Sequence, residues 1–378
     1  MTLTASQIEA IERLAPIKFH KIFKIPATET HLELKVSYAI AGPSDKNVPT
    51  ILFVAGMLGV RWLAFSFDHV ATVEGVRIIF IDRPGFGGST AVPLRNRLPV
   101  YLETIPLLLD HLNIKHVSLA SHSAGTIYAL NIIARLPHII CPGRPRITLL
   151  SPWVHQDLSS KTFLQVASML PNSVINHWGS VINFVLNNAT PMIASSGGAF
   201  AALKSSFFAP GVAAETRREM AEQKIREGYG VSKETKKEMD NLVFKWAFLE
   251  DTTGLNDEAR LCLKKTDDCS WDACEDYEEM VKSLAEMWTQ RVERNQSAML
   301  EVKIYLAEDD IMTGEKGKEY FRKCWTSEDW VSGIKVNCEQ LEGTDHDNVL
   351  DPLTSLREIA RTAKQTFNWE AHSVPHNE

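Results

Sequence analysis

Ser121-His122-Ser123-Ala124-Gly125 lies between a short apolar run, Val117 to Ala120, and a stretch in which Ile127, Leu130, Ile133 and Ala134 recur at helical spacing. The pattern reads as strand, tight turn, helix. A serine at the tip of such a turn takes a strained backbone conformation, and it needs small residues two places away on either side so that strand and helix approach closely. Ser121 and Gly125 meet that need around Ser123. The geometry would lift the Ser123 hydroxyl above the carboxyl end of the strand and aim the Ala124 N–H at the atom the hydroxyl attacks. Nucleophilic chemistry, with half of an oxyanion hole, is what this turn could support.

A serine hydroxyl is a poor nucleophile until a base takes its proton, and that base works best when a carboxylate fixes its tautomer. Of twelve histidines, His346 alone follows a late apolar strand on a short glycine-containing loop, Glu342-Gly343-Thr344-Asp345-His346-Asp347. It is expected at the same sheet edge as Ser123. His122 adjoins the nucleophile, but its side chain is sent elsewhere and reads as a packing or hydrogen-bonding residue. The acid is expected at Asp310, just past the preceding strand, giving the chain order serine, acid, histidine. Asp309 is the near competitor and Asp157 the distant one. A second oxyanion donor is expected from the loop Ala55-Gly56-Met57-Leu58-Gly59, where glycines let the backbone curl and the Met57 N–H faces the site.

These residues need a sheet to hold them. Two alternating stretches, 18–25 and 32–40, read as half-buried antiparallel strands. Four continuously apolar runs, 50–54, 76–81, 145–150 and 301–307, read instead as strands buried on both faces of a parallel sheet, with a last strand at 334–341. Helices are expected at 62–72, 99–112 with Pro106 as a kink, 317–324 and 352–366. Residues 1–16 read as a helix outside the core. From 154 to 299 the rhythm changes to helical patterns and loops without a core strand. The fold class is therefore α/β: a mostly parallel central sheet flanked by helices, with an all-helical cap inserted late in the sheet. The expected division is 1–153 and 299–378 for the core and 154–298 for the cap, which lies beside the strand ends where ligands bind in open α/β sheets.

Composition narrows the function. The 378 residues are 44% hydrophobic and 23% charged, with a net charge of -7, and no basic stripe suits nucleic acid or an anionic membrane surface. No apolar run reaches bilayer length, the amino terminus lacks a signal-peptide pattern, and a cytoplasmic location is expected. Six scattered cysteines without a CxxC pair fit neither a disulfide scaffold nor a zinc site, so neither a metal nor a cofactor is expected. The glycines of Asp82-Arg83-Pro84-Gly85-Phe86-Gly87-Gly88-Ser89 lack the residues that complete a phosphate loop.

Taken together, the loop 55–59, the turn 82–89, the Ser123 elbow, Asp310 and His346 resemble those of the α/β-hydrolase-fold serine hydrolases. The turn 82–89 is similar to that family's Asp-x-x-Gly-x-Gly-x-Ser pattern. The resemblance covers roughly 30–153 and 299–368, and it departs in two places: Ala55 stands where the family has histidine, and Ser121 where the elbow has its first glycine. An aspartate at position 123 would be needed for the epoxide hydrolase or haloalkane dehalogenase branches. The resemblance implies hydrolysis of a small, largely apolar carboxylic ester through an acyl-enzyme, with Ser123, Asp310 and His346 catalytic and the Met57 and Ala124 N–H groups holding the oxyanion. Cap residues Phe163, Met169, Leu170, Trp178, Val181, Ile182 and Phe184, together with Trp153, could wall the pocket or simply join cap to core. An acyltransferase or peptidase would use the same triad, and a non-catalytic binder of a small hydrophobic ligand would keep the same fold.

Overall fold

The computed structural model describes residues 2–45, 47–57, 59–159, 214–326 and 333–373. An eight-stranded sheet runs in the order β1-β2-β4-β3-β5-β6-β7-β8. Its strands are β1 (Lys21–Ile25), β2 (Leu34–Ala41), β3 (Thr50–Val54), β4 (Arg77–Ile81), β5 (Ser118–His122), β6 (Arg146–Leu150), β7 (Leu300–Asp309) and β8 (Ile334–Asp345). β1 pairs with β2, and β2 with β4, antiparallel; every other pairing is parallel. The two alternating stretches form the antiparallel edge, and the continuously apolar runs form the parallel centre, where every residue of β3, β4 and β5 is buried.

Helices cover both faces: α1 (Ala5–Leu14), α2 (Ala64–Glu74), α3 (Arg97–His111), α4 (Gly125–Arg135), α5 (Ala214–Tyr229), α6 (Lys233–Leu249), α7 (Gly254–Cys262), α8 (Tyr277–Glu293), α9 (Gly314–Thr326) and α10 (Arg357–Ser373). One apolar cluster joins α3, α4 and α8 to one face of the sheet, and a second joins α1, α2 and α10 to the other. The expectation of an N-terminal helix outside the core is corrected here. α1 carries a capping box between Thr4 and Gln7, and its Ala10 and Leu14 are fully buried in the second cluster. Pro106 lies inside α3, which continues through it to His111.

Among the described residues between β6 and β7, α5 to α8 supply the regular structure, and no sheet strand interrupts them. Residues 160–213 of the stretch expected to form the cap lie outside the described residues. α7 was not anticipated, and it proves to be a principal attachment. Its Glu258 is completely buried and receives Arg83 Nε at 3.0 Å, Arg97 Nε at 2.8 Å and the Tyr128 hydroxyl at 2.6 Å, all on one carboxylate oxygen. At the end of α6, Glu250 takes the Arg61 guanidinium at 2.5 and 2.7 Å and the Trp62 indole N–H at 2.8 Å.

Candidate active site

β5 delivers Ser123 and β8 delivers His346. Ser123 has φ of 51°, in the left-handed region that costs any residue other than glycine, and the turn is held by its N–H to Leu150 O at 3.0 Å and by Thr126 N–H to its own carbonyl at 2.9 Å. Gly125 is required by close approach: a Cβ built there would lie 2.2 Å from Val54 O and 2.6 Å from Ala55 O. Ser121, at the other flank, is completely buried with its hydroxyl unpartnered among the described residues. It fits, at the expense of a polar atom left without a bond.

The Ser123 hydroxyl lies 2.8 Å from His346 Nε2, and His346 Nδ1 lies 2.9 and 3.0 Å from the two Asp310 oxygens. All three residues are buried, at 6%, 6% and 3% exposure. Nδ1 therefore carries the proton toward Asp310 and Nε2 presents its lone pair to the serine. Asp310 is itself oriented by the N–H groups of Met312 at 2.9 Å and Thr313 at 2.8 Å. Burial alone would raise its pKa, but the hydrogen bond and charge of His346, with these two N–H groups, bring it below the ordinary carboxylate value. For His346 burial pulls downward, and the Asp310 bond and charge outweigh it, so its pKa is raised. The competing acids lie elsewhere: Asp309 is an exposed residue at the end of β7, and Asp157 is an exposed partner of His155.

The loop after β3 comes directly against the serine. A Cβ built on Gly56 would stand 3.1 Å from Ser123 Cβ. Among the described residues, neither the Met57 N–H nor the Ala124 N–H donates to an acceptor. The peptide unit after Gly56, which lies beside Ser123, and the N–H of Ala124 at the start of α4 are thus backbone donors without an acceptor among the described residues.

His122 is bonded not to the serine but to the base's backbone: its Nε2 lies 2.8 Å from the carbonyl oxygen of His346. Burial, then repulsion from His346, lowers its pKa to about 4. It is therefore neutral near pH 7 and donates from Nε2 to that carbonyl. His122, His346 and Asp347 place possible ligand atoms within 4.8 Å of one another. Both nitrogens of His346 are already committed, to Ser123 and Asp310, so the group has no histidine pair to offer a metal.

Trp153, read from the sequence as a pocket wall, is buried at 1% exposure and donates its indole N–H to Cys262 O at 3.3 Å, so it packs the end of β6 against α7. Phe163 and Trp178, with Met169, Leu170, Val181, Ile182 and Phe184, lie outside the described residues. Sequence reasoning missed Arg83 and Glu258 as neighbours of the site. Arg83 was visible only as a letter in the 82–89 turn, and its partner stands far along the chain.

The comparisons with known proteins agree with this architecture. No family model matches the chain. A curated relative, the dihydrolipoyllysine-residue acetyltransferase component of the acetoin cleaving system of Pseudomonas putida, is 40% identical over 77 residues, which span only 20% of each protein. Among solved structures, a carboxylesterase of the thaumarchaeon Nitrososphaera gargenis aligns with a TM-score of 0.51 at 11% identity, covering 93% of this chain and 100% of that one. A mutant esterase aligns with a TM-score of 0.52 at 11% identity, covering 92% and 98%. The chain has the α/β-hydrolase fold. Its likeness to these esterases is one of fold.

Proposed function

We propose that the protein is a serine hydrolase that cleaves a carboxylic ester through an acyl-enzyme. The observation that carries this reading is the buried hydrogen-bonded series Ser123 to His346 to Asp310, at 2.8 and 2.9 Å. His346 Nε2 takes the Ser123 proton as the serine oxygen bonds to the carbonyl carbon, and the carbonyl oxygen becomes an anion received by the Met57 and Ala124 N–H groups. Collapse of this adduct breaks the carbon–alkoxide bond, and the His346 proton leaves with the alcohol. Water then repeats the sequence on the acyl-enzyme, releasing the acid and restoring Ser123. Asp310 keeps its charge throughout and steadies the imidazolium. A buried serine suits a small, largely apolar acyl group, and the fold likeness to a carboxylesterase is in keeping with that choice.

Intact-mass measurement after treatment with a fluorophosphonate tests the reading. One phosphonyl adduct on wild type, absent from folded Ser123→Ala and His346→Ala, is the expected result, followed by turnover of short-chain nitrophenyl esters. A folded wild type that takes no adduct and turns over no ester would remove the proposal.

A further inference from the structure

The Arg83 guanidinium uses its whole fork on three partners. Nη1 donates to Ala55 O at 2.7 Å, Nη2 to Gly56 O at 2.5 Å, and Nε to Glu258 at 3.0 Å. Successive carbonyls of an extended strand point to opposite sides, so two in a row turned toward one guanidinium mark the place where the chain leaves β3 and curls. Gly56 O also accepts the Gly59 N–H at 2.9 Å, so both of its lone pairs are used.

That carbonyl belongs to the same peptide unit as the Met57 N–H. The unit is planar and its C=O and N–H point in opposite directions, so fixing the oxygen against Arg83 and Gly59 fixes the direction of the Met57 N–H. A cationic donor on the oxygen also draws electron density through the amide and strengthens the N–H as a donor, as chained hydrogen bonds do. The loop reaches the nucleophile at this unit, since a Gly56 Cβ would stand 3.1 Å from Ser123 Cβ. The guanidinium is 2% exposed, lies over the Tyr128 ring at 4.9 Å, and is paired to a carboxylate that is itself completely buried. Water therefore does not dilute the effect.

We propose that Arg83 is a positioning residue for ester cleavage: by gripping the Gly56 carbonyl it aims and polarises the peptide whose N–H, on Met57, receives the developing oxyanion. The inference rests on the reading of Ser123 as nucleophile and Met57 as oxyanion donor. Glu258 completes the device by holding Nε, which leaves both Nη atoms turned to the loop. Lysine has the charge but not the fork, so it would grip one carbonyl at most.

The test compares a 4-nitrophenyl ester with its thionoester, whose sulfur is a poor hydrogen-bond acceptor and gains little from an oxyanion donor. Circular dichroism and thermal melts establish that each variant is folded. For Arg83→Met, kcat on the ester falls about 10- to 100-fold with KM changed less than about threefold, since the lost contact acts in the transition state. The thionoester rate falls much less, so the ester-to-thionoester ratio drops by about tenfold. Arg83→Lys regains part of the ratio. Arg97 bonds the same Glu258 oxygen but donates its Nη1 to Pro84 O and not to the loop, so Arg97→Met keeps the wild-type ratio however much it is destabilised. If Arg83→Met does not fold, Arg83→Lys carries the same readout, with a ratio below wild type expected. Ester and thionoester rates falling in equal proportion in the folded Arg83 variants would overturn the inference alone, leaving the hydrolase reading intact. A folded wild type that takes no phosphonate and turns over no ester removes both together.

Discussion

His122 is bound to the backbone of His346, 2.8 Å from its carbonyl oxygen, while the His346 ring is left to Ser123 and Asp310. The residue beside the nucleophile thus anchors the loop that brings the base. Because both histidines are buried and 5.1 Å apart between ring centres, only one can carry charge at little cost, and Asp310 gives that place to His346.

Acid should loosen the fold through His122. Its pKa is lowered to about 4 in the native protein from an ordinary 6.5. The unfolded chain therefore binds a proton that the native chain refuses, and stability falls as pH drops from 6.5 toward 4, by on the order of 3 kcal/mol for this group. His346 acts in the opposite sense, since its raised pKa contributes stability that is fully present below 6.5 and lost as pH rises through the native value. Urea unfolding of His122→Asn at pH 7 and pH 4.5 checks the first effect. The variant should lose less stability between the two than wild type does.

The pH dependence of turnover should carry the mark of His346. The base must be neutral to accept the serine proton, and its pKa is raised, so kcat/KM should climb through a pKa above the ordinary 6.5. Asp310→Asn removes what raises it. The limb should then move to lower pH while kcat falls by about 10³ to 10⁴. A limb that stays in place in Asp310→Asn would show that another group sets it.

Gly125→Ala tests the close approach of strand and helix at the elbow. The new methyl would meet the carbonyls of Val54 and Ala55 at 2.2 and 2.6 Å, and neither backbone oxygen has a flexible end to yield. A loss of about 1–3 kcal/mol is expected from thermal or denaturant unfolding, together with slower phosphonate labelling of whatever remains folded.

Glu258→Ala should be among the most destabilising single changes. It leaves the Arg83 and Arg97 guanidiniums, 2% and 1% exposed, without their shared carboxylate. Burial works against the charge of Glu258, yet the two arginines outweigh it and keep its pKa below the ordinary value, so what is lost is an ionised partner. Breaking such a pair costs about 3–5 kcal/mol. Denaturant midpoints of Glu258→Ala and Glu258→Gln check this, with glutamine recovering part of the loss through its hydrogen bonds.

What could be read in the sequence was local. Thr50–Val54 is a strand at the expected bounds because a threonine and four apolar residues end at a glycine loop, and Arg146–Leu150 starts one residue inside the expected 145–150, after Pro145. The Ser123 turn was legible because small residues, a strand and a helix must occur together there. Asp310 and His346 were legible through order along the chain, since each follows one of the last two strands. The buried face of α1 was not, because Ala10 and Leu14 find their neighbours in elements far along the chain. α7 was missed because Gly254, Asn256, Asp257 and Glu258 read as loop and solvated surface until Arg83 and Arg97 are placed beside them. Polar side chains that pair across 175 and 161 positions leave no periodic trace.

The ties from Arg61 to Glu250 and from Arg83 to Glu258 also bear on how this architecture could change over generations or at the bench. A helical insert is often imagined as an interchangeable part that can be exchanged to alter specificity while the sheet keeps its chemistry. Here the donor of a transplanted segment would have to bring a carboxylate for Arg83 and Arg97, or strand their guanidiniums in the host, whereas Arg61 would keep Asp82 at 2.8 Å. A chimera lacking that carboxylate is expected to lose stability before any new preference could be measured. Grafts that leave Glu250 and Glu258 with the host are expected to keep both ties.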